Sequence, residues 1–156
     1  MKRVVVGSMG LGLLVAVGLL LSGAAHPEPE AHNKGCSRRT LKGTYVFSYS
    51  GVQIVDGQPV PFVFAGQDRI NGDGTLTGVN SFSINGVISR NVSYTGLYTV
   101  NPDCTGSSTT VDDGTGETAH FDLFFGRDGD AISFVQTDAG FVTAAIEQRV
   151  HRTNSH

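Results

Sequence analysis

From Cys36 to Val150 the chain repeats one unit: a run of aromatic and β-branched residues at alternate positions, then a short segment rich in Gly, Asn or Asp. Alternation with a period of two is the mark of a strand with one buried face, and nowhere in this stretch do apolar residues recur at helical spacing. The pattern predicts strands at about 41–50, 60–70, 75–84, 87–100, 107–112, 118–126, 131–137 and 141–149. Asn71-Gly72-Asp73-Gly74, Asn85-Gly86, Asp128-Gly129 and Asp138-Ala139-Gly140 separate them with residues that tolerate positive φ, as tight hairpins require. Short links make sequence neighbours into spatial neighbours, so the expected fold is an all-β, antiparallel up-and-down barrel of about eight strands, closed so that no edge is left exposed.

The odd–even rhythm also assigns an inner face. Tyr45, Phe47 and Tyr49 share one side of the first strand, Phe62, Phe64 and Ile70 of the second, Leu76, Phe82 and Ile84 of the third, and Ile88, Val92, Tyr94 and Tyr98 of the fourth. A three-residue loop at 85–87 would set Gly78 opposite Tyr94, an aromatic ring over a glycine, which bends a sheet toward closure; Gly66 and Gly96 fall on the same inner faces. Three polar residues interrupt these faces: Asp68, Asn80 and Arg90. Buried charge is costly without a partner. These groups therefore either converge in an aromatic-lined pocket or lie at the ends of the barrel, where water reaches Asp68 and Arg90; the pairing sets Arg90 beside Phe82 and Asp68 beside Gly78, and the second placement is favoured. The candidate lumen comprises Tyr45, Phe47, Tyr49, Phe64, Asp68, Asn80, Phe82, Arg90 and Tyr94.

The first 25 residues differ in kind. Lys2 and Arg3 precede an apolar run from Val4 to Leu21, and Ser22-Gly23-Ala24-Ala25 supplies small residues for cleavage. This is the pattern of a removable export leader, cut after Ala24 or Ala25. Residues 26–35, polar and proline-containing, form a tether, 36–150 the barrel domain, and 151–156 a polar tail. The expected location is secreted or periplasmic, with no membrane attachment once the leader is gone. In such a compartment the two cysteines, Cys36 and Cys104, are expected to form a disulfide.

Charge and motifs exclude more than they assign. Eleven Lys and Arg against fourteen Asp and Glu, with no basic cluster beyond Arg38-Arg39, argue against a nucleic-acid partner. His120 and Asp122 fall on the face opposite Phe121, Leu123 and Phe125, and no G-x-S-x-G elbow accompanies them. Asn71 to Thr75 starts like a calcium loop but lacks its glycine and its twelfth ligand, so it reads as a hairpin turn. Neither cysteine has a second ligand at zinc spacing. His26 could head a copper-binding amino terminus only on a mobile tail. No catalytic residue, metal or cofactor is assigned, and the oligomeric state is left open.

Several segments together carry a resemblance: Cys36-Ser37 with Thr40-Leu41-Lys42-Gly43-Thr44-Tyr45-Val46-Phe47, then Asn71 through Gly78, Gly96 through Gly106, and Thr137-Asp138-Ala139-Gly140. The chain resembles a group of exported bacterial proteins of unknown function whose barrel is similar to that of allene oxide cyclase and, more distantly, to the calycin-type barrel of the lipocalins. The lipocalin signature of an N-terminal Gly-x-Trp, a Thr-Asp-Tyr and a late Arg is answered by Gly43-Thr44-Tyr45, Thr137-Asp138-Ala139 and Arg149. The resemblance implies a barrel. Three roles follow as expectations: a module holding one small apolar ligand, a barrel filled by its own side chains that acts as a structural or interaction element, or a cyclase or isomerase using Asp68, Asn80 and Arg90. A non-catalytic role leads.

Overall fold

The computed structural model describes residues 35–150, so the leader at 1–25, the cleavage site, the tail at 151–156 and all of the tether except Gly35 lie outside the described residues. A short 3-10 turn, η1 (Arg38–Leu41), precedes eight strands: β1 (Gly43–Val55), β2 (Gln58–Ile70), β3 (Thr75–Ile84), β4 (Val87–Val100), β5 (Thr105–Asp112), β6 (Thr118–Phe125), β7 (Ala131–Gln136) and β8 (Phe141–Arg149). Each pairs antiparallel with the next, and β8 returns to β1 to close the barrel. Closure gives every strand two partners, which removes the unpaired edge a flat sheet would leave.

The first hairpin is longer than the pattern predicts. The pattern ends one strand at 50 and resumes at 60, yet β1 runs to Val55 and turns through Asp56-Gly57, both at positive φ, as a two-residue hairpin demands, and β2 takes in the prolines at 59 and 61. The prolines are tolerated because β3 begins to pair with β2 only at Phe62, so the hairpin tip projects past its neighbour.

The β3–β4 register holds for a different reason than loop length. The turn has two residues, Asn85-Gly86, with Ile84 opposite Val87, and a bulge follows in which Ser81 alone faces Arg90 and Asn91. Asn91 takes φ 54°, a conformation asparagine tolerates, and its amide donates to Ser81 Oγ at 3.2 Å. The extra residue restores the pairing of Gly78 with Tyr94. It also inverts the faces before it. Ser89, not Arg90, stands opposite Phe82, and Ile88 and Arg90 are exposed on the outside. The expected inward placement of Ile88 and Arg90 is thereby corrected, because an odd insertion swaps the two sides of a strand.

The two ends of the barrel differ. At one end lie η1, the turns after β2, β4 and β6, and the end of β8; at the other lie the turns after β1, β3, β5 and β7. The first end is closed. Its turns repeat one device: in Asn71-Gly72-Asp73-Gly74-Thr75 and Asn101-Pro102-Asp103-Cys104-Thr105 the aspartate accepts from the threonine amide and hydroxyl, and the asparagine amide donates to the same hydroxyl. The Cys36–Cys104 disulfide ties the segment before η1 to the second of these turns, and Cys36 N donates to Pro102 O at 3.0 Å. Leu41, fully buried, plugs the end and joins a core with Tyr45, Ile70, Leu76, Tyr98, Leu123 and Ile132.

Candidate functional site

The floor of the barrel is built by Tyr45 and Arg149. β8 places Arg149 opposite Tyr45 in the ladder, and its guanidinium lies 5.2 Å from the Tyr45 ring centroid. The guanidinium donates to the carbonyls of Lys42 and Thr40 at 2.6 Å each and of Gly129 at 3.0 Å. Tyr45 Oη donates to Gly129 O at 2.6 Å, and burial pushes its pKa up to about 12. Tyr45 is therefore a structural residue beneath the lumen and does not line the open space, contrary to its place among the lumen candidates. Two of the three motifs in the lipocalin-like signature meet here. The third does not, since Thr137-Asp138-Ala139 forms the β7–β8 turn at the opposite end.

Above the floor is a cavity of about 540 Å³. Phe47, Tyr49, Phe64, Asp68, Asn80, Phe82 and Tyr94, all expected inside, line it, together with Phe62, which alternation also set on the inner face, and with Phe121, Phe134, Phe141, Ser108, Gln136 and Glu147, which lie outside the candidate set. Gln53, Ile84, Asp112, Glu117 and Thr118, at the end without the plug, form its mouth. The rings make a continuous wall: Tyr49 stacks on Phe64 at 4.7 Å and 2°, Phe64 on Phe82 at 4.8 Å, and Tyr49 meets Phe62, Phe121 and Phe134 edge-on. Offset and edge-to-face pairs of this kind hold rings in place without filling the space between them.

At the base of this wall stands a polar cluster. Asp68 is 6% exposed and Glu147 8%, which rules out the expected placement of Asp68 at a watered end. Gly78, across the ladder from both Asp68 and Tyr94, leaves room for the phenol to reach the carboxylate, and Tyr94 Oη donates to Asp68 Oδ1. A Cβ at Gly78 would strike the Tyr94 ring and the Asp68 oxygen. Burial raises the carboxyl pKa of Asp68, against the opposing pull of hydrogen bonds from Glu147 and Tyr94. Glu147 is raised well above the ordinary range, first by burial and then by the charge and hydrogen bond of Asp68. The Tyr94 hydroxyl is likewise held far from ionisation, first by burial and then by the neighbouring Asp68. Two carboxyls and a phenol thus meet in one buried cluster.

Glu147 is the residue that sequence reasoning missed. Its signal was present, because Phe141, Thr143, Ala145 and Glu147 share one side of β8, but its partner Asp68 is brought near only when β8 closes on β1. His120 and Asp122 are exposed, as expected; the partner of His120 is Asp138, whose carboxylate accepts from the ring Nδ1 at 2.7 Å and from the backbone amide at 2.9 Å. Among the described residues no group of three His, Cys, Asp or Glu could hold a metal ion.

Fold and site together define a closed eight-stranded antiparallel barrel with an aromatic-rich interior cavity. No protein-family model and no curated protein matches the chain. Among solved structures it is similar to a redesigned β-barrel, mFAP1, bound to DFHBI, over 72% of this chain and 98% of that one, at 19% identity and a TM-score of 0.49.

Proposed function

We propose that this protein binds one small, mainly apolar molecule inside its barrel, taken up through the end bounded by Gln53, Ile84, Asp112 and Glu117. The observation that carries the reading is the cavity of about 540 Å³ walled by aromatic rings. A space of this size, apolar with a few convergent polar groups, is the usual form of a small-molecule site. It favours a binding module over a barrel filled by its own side chains. Kinship with calycin-type and allene oxide cyclase-like barrels belongs to the same proposal, supported by the motifs from Cys36 to Gly140. So does an exported, secreted or periplasmic location, which the leader pattern before His26 and the pairing of Cys36 with Cys104 support.

A second reading, a cyclase or isomerase acting by preorganised polarity, is favoured by the buried Asp68 and Glu147 carboxyls, both raised by burial, and the Tyr94 hydroxyl set against an apolar space. Arg90 has no part in it, since its side chain is on the outer surface. Titration with phenylnaphthylamine, a neutral apolar dye, tests the binding reading. We expect saturable one-to-one uptake by the native protein and its loss in Ala119→Phe, which fills the cavity from β6. Absence of saturable uptake by the native protein would overturn it. Mass spectrometry of protein purified from its host separates the readings: a module carries its ligand unchanged, whereas an isomerase releases a rearranged product.

A further inference from the structure

The charges around the cavity are of one sign. Four acidic side chains line it, Asp68 and Glu147 at the base and Asp112 and Glu117 at the mouth, and no Lys, Arg or His is among the described lining residues. At the base, the Asp68 carboxyl, 6% exposed, accepts from the Tyr94 hydroxyl, and no basic side chain lies beside it among the described lining residues. An isolated buried charge is costly, and a fixed cation is what ordinarily offsets it. Among the described residues none lines the cavity. Arg149, the basic residue of β8, is committed beneath the floor to backbone carbonyls and to Asp130.

A second, independent observation lies on the same wall. Asn80 stands opposite Gly66 in the β2–β3 ladder, one inward step toward the mouth from the Asp68–Gly78 pair. Its Oδ1 is buried and has no hydrogen-bond partner. A buried acceptor left unpaired is expensive, so the site asks for a donor at this height. The rings above it present π-faces, which attract cations.

We propose that the ligand is an organic cation, a protonated amine on an apolar or aromatic body, with its ammonium group between Asp68 and Asn80 and its body against Tyr49, Phe64 and Phe82. The inference rests on the binding reading above and names its ligand class. An ammonium supplies three donors and one positive charge, matching one orphan acceptor and one buried carboxylate. The acids at the mouth favour its approach and oppose that of an anion. A fatty acid or other carboxylate, the common cargo of an apolar cavity, would meet like charge with no base to hold it.

The test uses three fluorescent probes with one body: naphthylmethylamine, naphthylmethanol and naphthoic acid, titrated into the full mature protein. The native protein is expected to bind the amine at least about tenfold more tightly than the alcohol, with the acid weakest. The double variant Asp68→Asn with Glu147→Gln, isosteric and uncharged, is expected to lose that preference, so that amine and alcohol bind within about twofold of each other. Should the double variant not fold, Asp68→Asn alone gives the same comparison. Equal affinity of the native protein for amine and alcohol, tightest binding of the acid, or an amine preference that survives in a folded variant would each overturn the cation proposal and leave the cavity reading standing. Binding of none of the three would overturn both.

Discussion

The two ends of this barrel are made from the same alternating strands and do opposite things. At the closed end side chains tie the turns together: Arg149 binds the carbonyls of Thr40, Lys42 and Gly129, Tyr45 that of Gly129, Tyr98 that of Arg38, and Cys36 is joined to Cys104. At the open end the turns are short and local, and the side chains that face inward leave space between them. The difference teaches that the cross-links and hydrogen bonds tying distant segments gather at the end away from the mouth of the cavity. A packed, cross-linked floor allows the rest of the interior to stay hollow, because the energy lost by not filling a cavity is offset elsewhere.

Removing the floor is the harshest way to break this comparison. Tyr45→Ala deletes a fully buried ring together with its hydrogen bond and the surface on which Arg149 rests, and should cost about 4 kcal/mol in urea unfolding. The matching change at the other end, Phe141→Ala at the partly buried start of β8, should cost clearly less, about 2 kcal/mol. Equal losses would mean that the two ends do not divide the work.

Opening the disulfide comes next. Cys36→Ser with Cys104→Ser frees a loop of 68 residues, and the chain-entropy account puts the loss at about 3 to 4 kcal/mol. Thermal unfolding should show it, while the affinity for phenylnaphthylamine stays within about twofold, since the bond lies outside the cavity lining.

The buried carboxyls give a smaller effect with a distinctive sign. Asp68 and Glu147 have folded-state pKa values raised by burial, so the folded chain holds protons that the unfolded chain has already released. Their contribution favours folding at acid pH and declines as pH climbs from about 4 through the raised folded values, then levels off. Glu147→Gln should flatten that decline and raise stability at neutral pH by about 1 to 2 kcal/mol, as replacing an ill-compensated buried acid by a neutral isostere does. The surface turns run the other way. Asp138 is shifted down, its partial burial outweighed by hydrogen bonds from His120 and Gln136, so what it contributes is lost as pH falls through the carboxylate range. A stability profile that rises steadily from pH 4 to neutrality, and does so equally in the variant, would contradict the raised values.

The smallest expected effect is at the rim. Gly86→Ala keeps its surroundings, because nothing lies within 4 Å of an added Cβ, and pays only for φ 83°. It should cost about 1 kcal/mol or less in thermal unfolding and leave dye uptake unchanged.

Much of this arrangement was readable along the chain. Tyr45, Phe47, Tyr49, Phe62 and Phe64 had to share a side once strands were assumed, and the Asn and Asp pairs with glycine marked most of the turns. The outer face hid part of the signal. Val46, Val63 and Ile146 are exposed apolar residues, so inside and outside are told apart less by polarity than by aromatic rings within and β-branched chains without, Phe124 on the outer face being an exception. Arg90 was misplaced because a bulge inserts one residue and reverses the faces, and Asn91 at positive φ is a faint mark of it. The Asp56-Gly57 turn was lost among glycine and proline that more often end strands.

What the amino-acid order determined alone is local: the period of two, the turns that accept positive φ, and the side of each strand on which the aromatic rings fall. Which residues meet across the barrel was decided only by the tertiary structure. Asp68 and Glu147 lie on strands that are second and last in the chain, and Tyr45 and Arg149 on strands that are first and last. They come together because the sheet curls until its edges pair, and closure depends on the twist and register of all eight strands at once.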